Sequence, residues 1–157
     1  MAQSGLQHEL GKKNPFASAE QEATLNLLRT HDHLQQAFAA LFQEHGISAP
    51  QYNVLRTLRG VGGAGVPCLE VAARMISRMP DVTRLVDRLE RAGLAERTRT
   101  AADRRKVLVK ITASGLELLD RLDRPVLELH RRLLGHLSRD ELAELNRLLI
   151  KARRPEP

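Results

Sequence analysis

An acid and three consecutive bases, Asp103, Arg104, Arg105 and Lys106, stand in front of the alternating run V-L-V-K-I. Cationic side chains crowded at one place attract phosphates, and a planar guanidinium can also enter a nucleic-acid groove. The crowding belongs to a longer block. From Arg74 to Lys110 the chain carries eleven Lys or Arg against five Asp or Glu. The rest holds 14 of the 25 bases and 14 of the 19 acids, so the whole formal charge of +6 sits in about a quarter of the length. A basic block in an otherwise balanced chain is the footprint of a polyanionic partner. A solvated face without a partner would gain nothing from excluding acids so selectively. Single-stranded RNA is disfavoured, because only 3% of the residues are aromatic and base-stacking platforms need such side chains.

Other groupings could in principle do chemistry and lack the context for it. Gly60, Gly62 and Gly65 spell G-x-G-x-x-G. The residues before them read as helix and no βαβ unit follows, so an interhelical loop is the simpler reading. His31, His33 and His45 lack the spacing of a helical metal pair, and no metal or cofactor is expected. His136, Ser138 and Asp140 are nearly adjacent, whereas hydrolase triads are assembled from distant segments. Cys68 follows Pro67 at a helix start, where the dipole favours thiolate. A small, partly buried structural cysteine is the competing reading. No catalytic constellation emerges, and an enzyme is not expected.

The elements that must position the basic block are mostly helical. The 157 residues suit one domain with its own core. One cysteine excludes an internal disulfide framework, and neither a signal peptide nor a membrane-length apolar run is visible, so a soluble cytoplasmic protein is expected. Ser18 and Gln21 open a long amphipathic helix that Gly46 stops. Ser48, Pro50 and Gln51 open a second, with Tyr52, Val54, Leu55 and Leu58 on its apolar side. "PCLEVAARM" reads as a short helix, "ISRMP" as a tight turn, and "DVTRLVDRLERAG" as a helix with the stripe Val82, Leu85, Val86, Leu89. Opposite that stripe fall Pro80, Arg84, Asp87, Arg88 and Arg91, a face able to enter a major groove. "LAERTRT" and "KVLVKIT" alternate like strands around the tip "AADR". Two short helices followed by a hairpin describe a winged helix-turn-helix. Thr112 then begins a long helix through Leu134 with a kink expected near Pro125, and Ser138 with Glu141 caps a last one. Deleting that last helix is expected to expose Leu119, Leu122 and Leu133. The tails, to about Pro15 and after Arg153, read as disordered.

"VTRLVDRLERAGLAERTRTAADRRKVLVKIT" closely resembles the core of the MarR family of winged-helix transcription regulators, through its T-R-L-V-D-R-L-E helix, Gly93-Leu94 exit, D-R-R wing tip and I-T-x-x-G sequence at Ile111, Thr112 and Gly115. "ISAPQYNVLRTL" resembles the family's second helix, and the likeness spans about residues 18 to 152. It implies a mainly α fold in the order helix-helix-strand-helix-helix-strand-strand-helix-helix. Residues 48–111 would form the DNA-binding lobe, with 18–47 and 112–154 as dimerisation helices of a triangular homodimer. It also implies DNA contacts from Arg78, Met79, Pro80 and Asp81, then Thr83, Arg84 and Arg88, and from the wing residues Asp103, Arg104, Arg105 and Lys106. In the family the wing arginine enters the minor groove supported by the acid two residues earlier, here Arg105 and Asp103. The family's frequent Ser-Arg-Pro-Thr is replaced by Arg78, Met79, Pro80 and Asp81, so base preference is expected to differ. Asp81 either complements the helix N-terminus, holds Arg84, or accepts from cytosine N4.

The family's effector pocket is walled by the first, second and fifth of its helices. His31, Tyr52 and Arg56 would face that cleft and could meet a small phenolic or aromatic anion; His31 could equally be a satisfied interface residue. Family relatives that sense oxidants generally carry the reactive cysteine in the first helix, which has none here. The expected function is a sequence-specific, dimeric, ligand-responsive repressor acting on an inverted-repeat operator. The alternatives are a non-specific nucleoid-type DNA-binding protein and a helical protein-interaction adaptor, the latter leaving the basic wing without a task.

Overall fold

Caps and apolar stripes supplied locally by the sequence account for most element boundaries in the computed structural model, which describes residues 5–76, 81–99 and 107–154. A short helix, α1 (Gly5–Glu9), precedes the long α2 (Ala19–Glu44). Ser18 caps α2 by accepting from the Gln21 amide, and the Gln21 side chain reaches back to the Ala17 amide. Then come α3 (Ala49–Val61), the two-residue β1 (Val66–Pro67) and α4 (Cys68–Arg74). The Ser48–Gln51 capping box closes the start of α3, whose buried residues are Tyr52, Val54, Leu55 and Leu58. The helix α5 (Val82–Arg91), strands β2 (Ala95–Arg99) and β3 (Val107–Ile111), and helices α6 (Ala113–Leu134) and α7 (Arg139–Arg153) complete the order. Ser138 and Glu141 form a second capping box at the start of α7.

The N-terminal expectation needs correction. Residues before Pro15 read as disordered, yet α1 is formed, with Leu6 and Gln7 buried. Gln7 Nε2 donates to the Lys12 carbonyl at 3.2 Å, and Glu9 pairs with Arg29 of α2 at 3.3 Å. A single buried leucine and these polar ties order a segment whose composition carries no helical period. The element order is otherwise as expected. Residues 155–157, on which most of the C-terminal expectation falls, lie outside the described residues.

Packing concentrates in one place. Val54, Leu55 and Leu58 of α3, Val71 of α4, Val86 and Leu89 of α5, Val109 of β3, and Leu119 and Leu122 of α6 are all but inaccessible. Burying each such leucine stabilises the fold by about 1.5–3 kcal/mol before entropy is counted. Leu119 and Leu122 are therefore covered by this core, to which α7 contributes no residue, so loss of α7 would not uncover them. The antiparallel sheet, ordered β1-β3-β2, flanks the core, with Val66 and Arg97 on either side of Val109. Gly65, at φ +72°, lets the loop after α3 cross β3; a side chain there would press on the Val109 carbonyl and the Lys110 side chain.

The exit from α5 is joined tightly to α6. Gly93, at φ +70°, ends α5. Thr112 Oγ1 donates to the Gly93 carbonyl at 2.6 Å and accepts from the Gly115 amide, while the Thr112 amide donates to the Leu94 carbonyl at 3.2 Å. A Cβ on Gly115 would collide with the Leu94 carbonyl. The I-T-x-x-G sequence is thus a cap and a close approach in one motif. α6 runs as a single helix through Pro125.

Candidate nucleic-acid interface

α5 is the most sharply two-sided helix of the lobe. Val82, Leu85, Val86 and Leu89 are buried, and the opposite face is turned to solvent. The Arg84 side chain is 79% exposed, and Arg88 and Arg91 are exposed beside it. Asp81 is the N-cap of this helix. Its Oδ1 accepts from the Arg84 amide at 3.1 Å, and its Oδ2 lies 2.8 Å from Arg84 Nε. One carboxylate therefore caps the helix start and holds the exposed Arg84, which unites two of the three readings of Asp81. Thr83 is exposed on the same turn, its hydroxyl 3.9 Å from Cys68 Sγ. Cys68 stands at the start of α4 and is partly buried. Arg78, Met79 and Pro80 before α5, and Asp103, Arg104, Arg105 and Lys106 between β2 and β3, lie outside the described residues.

Among the described residues of the basic block, Arg97 meets two carboxylates. Arg97 Nη2 lies 2.6 Å from Asp87 Oδ1, and its Nη1 lies 2.6 Å from Glu90 Oε2. Its backbone amide donates to Glu90 Oε1 at 3.1 Å. Charge counting treats Arg97 as one more phosphate ligand. The strand alternation contained the missing signal, because Arg97 shares a strand face with the buried Ala95, on the side that meets α5.

A second site lies where α2, α3 and α6 meet. His31, Tyr52 and Arg56 line one cleft of about 910 Å³, together with Phe38, Asp123 and His130. The Phe42 and Tyr52 rings stack at 4.2 Å, and the Phe38 ring lies 4.9 Å from the His130 imidazole. Burial raises the Tyr52 phenol above its ordinary range, so the neutral hydroxyl persists at physiological pH. Arg59 grips Asp123 with both terminal nitrogens, at 2.6 and 2.8 Å, and its hydrogen bonds hold the carboxyl below the usual range. Arg56 meets the same carboxylate only at 3.5 Å. Arg74 at the end of α4 and Ile76 just beyond it also line the cleft.

Two short helices, α4 and α5, followed by an antiparallel two-stranded ribbon define a winged helix-turn-helix protein. The MarR family profile matches residues 47–107. The transcriptional regulator PecS of Dickeya dadantii is 34% identical over 118 residues, 74% of this chain and 70% of PecS. The crystal structure of a MarR transcription factor from Planctomyces limnophilus is 47% identical, covers 85% of this chain and 97% of its own, and superposes with a TM-score of 0.67. A mutant MarR from E. coli complexed with operator DNA is 26% identical, covers 95% of this chain and 99% of its own, and gives a TM-score of 0.73. The chain belongs to the MarR family of DNA-binding transcription regulators. Among the described residues, no helix is long and apolar enough to cross a membrane.

Proposed function

We propose that the chain is a homodimeric repressor that binds an inverted-repeat operator in double-stranded DNA and is modulated by a small aromatic or phenolic anion. The observation that carries this reading is Arg84, solvent-facing opposite the buried stripe of α5 and held by Asp81. Residues 48–111 act as the DNA-binding lobe. Arg84, Arg88 and Thr83 read or grip the major groove, with Arg78, Met79 and Pro80 at the approach to α5. Arg104, Arg105 and Lys106 engage the adjacent backbone and minor groove, Asp103 orienting Arg105. Residues 18–47 and 112–154 pair with a second copy of the chain. Support for that occupant comes from apolar side chains left open on these helices: Leu27, Leu28, Leu127, Leu148 and Ile150. The cleft supports the ligand class. Its aromatic wall suits a ring, Arg56 is the less engaged of its two cations facing Asp123, and its α4 residues adjoin the approach to the recognition helix.

Selecting fragments of genomic DNA with the purified protein and footprinting them tests the reading. Half-sites about 10 base pairs apart, related by two-fold symmetry, are expected. Arg84→Ala weakens binding by about 1–3 kcal/mol and relaxes preference at one position in each half-site. Equal affinity for all fragments at moderate salt would establish the nucleoid-type alternative. Aromatic acids are expected to raise the melting temperature and weaken operator binding together. Indifference of both to a broad panel would remove the ligand from the proposal.

A further inference from the structure

One arginine of β2 ties that strand to α5. We propose that Arg97 is a positioning residue that fixes the angle between α5 and the wing, and thereby converts general DNA affinity into sequence preference. Its place in β2 is set by the ladder, where it pairs with Val109 of β3. From that strand the guanidinium reaches two carboxylates three residues apart on α5, Asp87 and Glu90, each at 2.6 Å. Its Nη2 also lies 3.5 Å from the Thr83 carbonyl, next to Arg84. Two attachment points on successive turns restrain rotation of the helix about its axis as well as its distance from the strand. The Arg97 side chain is only 26% exposed, and its planar fork is already engaged by acceptors, which leaves it poorly placed to grip a phosphate. A helix in one groove and a hairpin beside it can both engage only if their mutual orientation matches the duplex. General phosphate attraction has no such requirement.

Pure electrostatics and positioning predict opposite results for the two acids, and this makes the proposal testable. The probes are the tightest duplex selected by the wild-type protein from a random library and a random-sequence duplex of equal length. Asp87→Asn with Glu90→Gln removes negative charge, so electrostatics alone predicts tighter binding to both. Positioning predicts a roughly tenfold loss on the selected duplex with unchanged or tighter binding to the random one. Arg97→Ala is expected to lower the preference ratio similarly while the slope of log affinity against log salt stays as in wild type. Arg97→Lys keeps the charge but lacks the two-pronged fork, so it is expected not to restore the ratio. An unchanged ratio in the acid variant would overturn the proposal. So would a salt slope reduced by about one per subunit in Arg97→Ala, which would make Arg97 a phosphate contact. Rescue by Arg97→Lys would overturn it as well, since charge alone would then suffice. Far-UV circular dichroism of each variant separates these outcomes from loss of fold, and Arg97→Lys serves if Arg97→Ala does not fold.

Discussion

The winged lobe and the terminal helices solve the problem of apolar surface in opposite ways. Leu55 and Leu89 lie wholly inside the lobe, under neighbours from the same chain. By contrast, α7 buries no residue, and Ile150 is 50% and Leu28 of α2 59% exposed. Both regions are amphipathic in sequence, so amphipathicity alone does not say whether the partner face is intramolecular. The lobe has a sheet, three helices and the first half of α6 to close around its stripes. Of the terminal helices, α2 sends Phe42 into that core while α7 adds no residue to it, and Leu27, Leu28 and Leu148 are left open.

That contrast can be broken most severely at the lobe. Leu89→Ala is expected to lower stability by about 2–5 kcal/mol, read as a shifted denaturant midpoint, because the surrounding core cannot collapse into the space. An unshifted midpoint would mean that the lobe is not where the folding stability resides. At the terminal helices a double change, Leu28→Asp with Ile150→Asp, is expected to leave the far-UV spectrum intact and yield monomers in sedimentation velocity. Operator affinity would then fall by about 10²–10⁴-fold, because two linked half-site contacts become independent ones. A persistent dimer would place the interface on another surface. The smallest effect belongs to the Arg59–Asp123 pair that joins lobe and α6. Since the folded-state pKa of Asp123 is depressed, the pair stabilises the protein fully above the ordinary carboxylate range and ceases to do so as pH falls through the lowered value. The Asp123 side chain is 44% exposed, so screening holds the contribution to about 1 kcal/mol or less. Asp123→Asn is expected to flatten the acid limb of a stability–pH curve, and an unaltered limb would assign that limb to other carboxylates.

Local signals carried most of the architecture into the sequence. The caps at Ser18, Ser48, Thr112 and Ser138, and the stripe from Val82 to Leu89, depend on residues within one or two helical turns, so pattern alone suffices to place them. The gathering of His31, Tyr52 and Arg56 at one cleft was legible only through family resemblance. Its counter-charge was not legible, because Asp123 lies 64 residues from Arg59 and nothing in either segment names the other. Arg97 was hidden for a different reason. A count of charge gives the sign of a region but not which cations are already spent on neighbouring acids. The helix α1 escaped because five residues are too few to show a period.

The joint between Gly93, Leu94, Thr112 and Gly115 fastens the end of α5 to the start of α6 as two arms meet at a bearing. Asp123 lies eight residues beyond Gly115, about 12 Å along α6 at 1.5 Å per residue, and Arg84 lies nine residues before Gly93, about 13.5 Å along α5. The proposed ligand cleft and the proposed base contact thus stand at nearly equal distances from one tight joint, which is expected to pass a displacement from one to the other without gain. A shift of about 1 Å exceeds what a hydrogen bond to a base edge tolerates. The gearing ratio so expected is close to one, and a side chain as small as a methyl group at Gly115 would press on the Leu94 carbonyl and spoil the bearing.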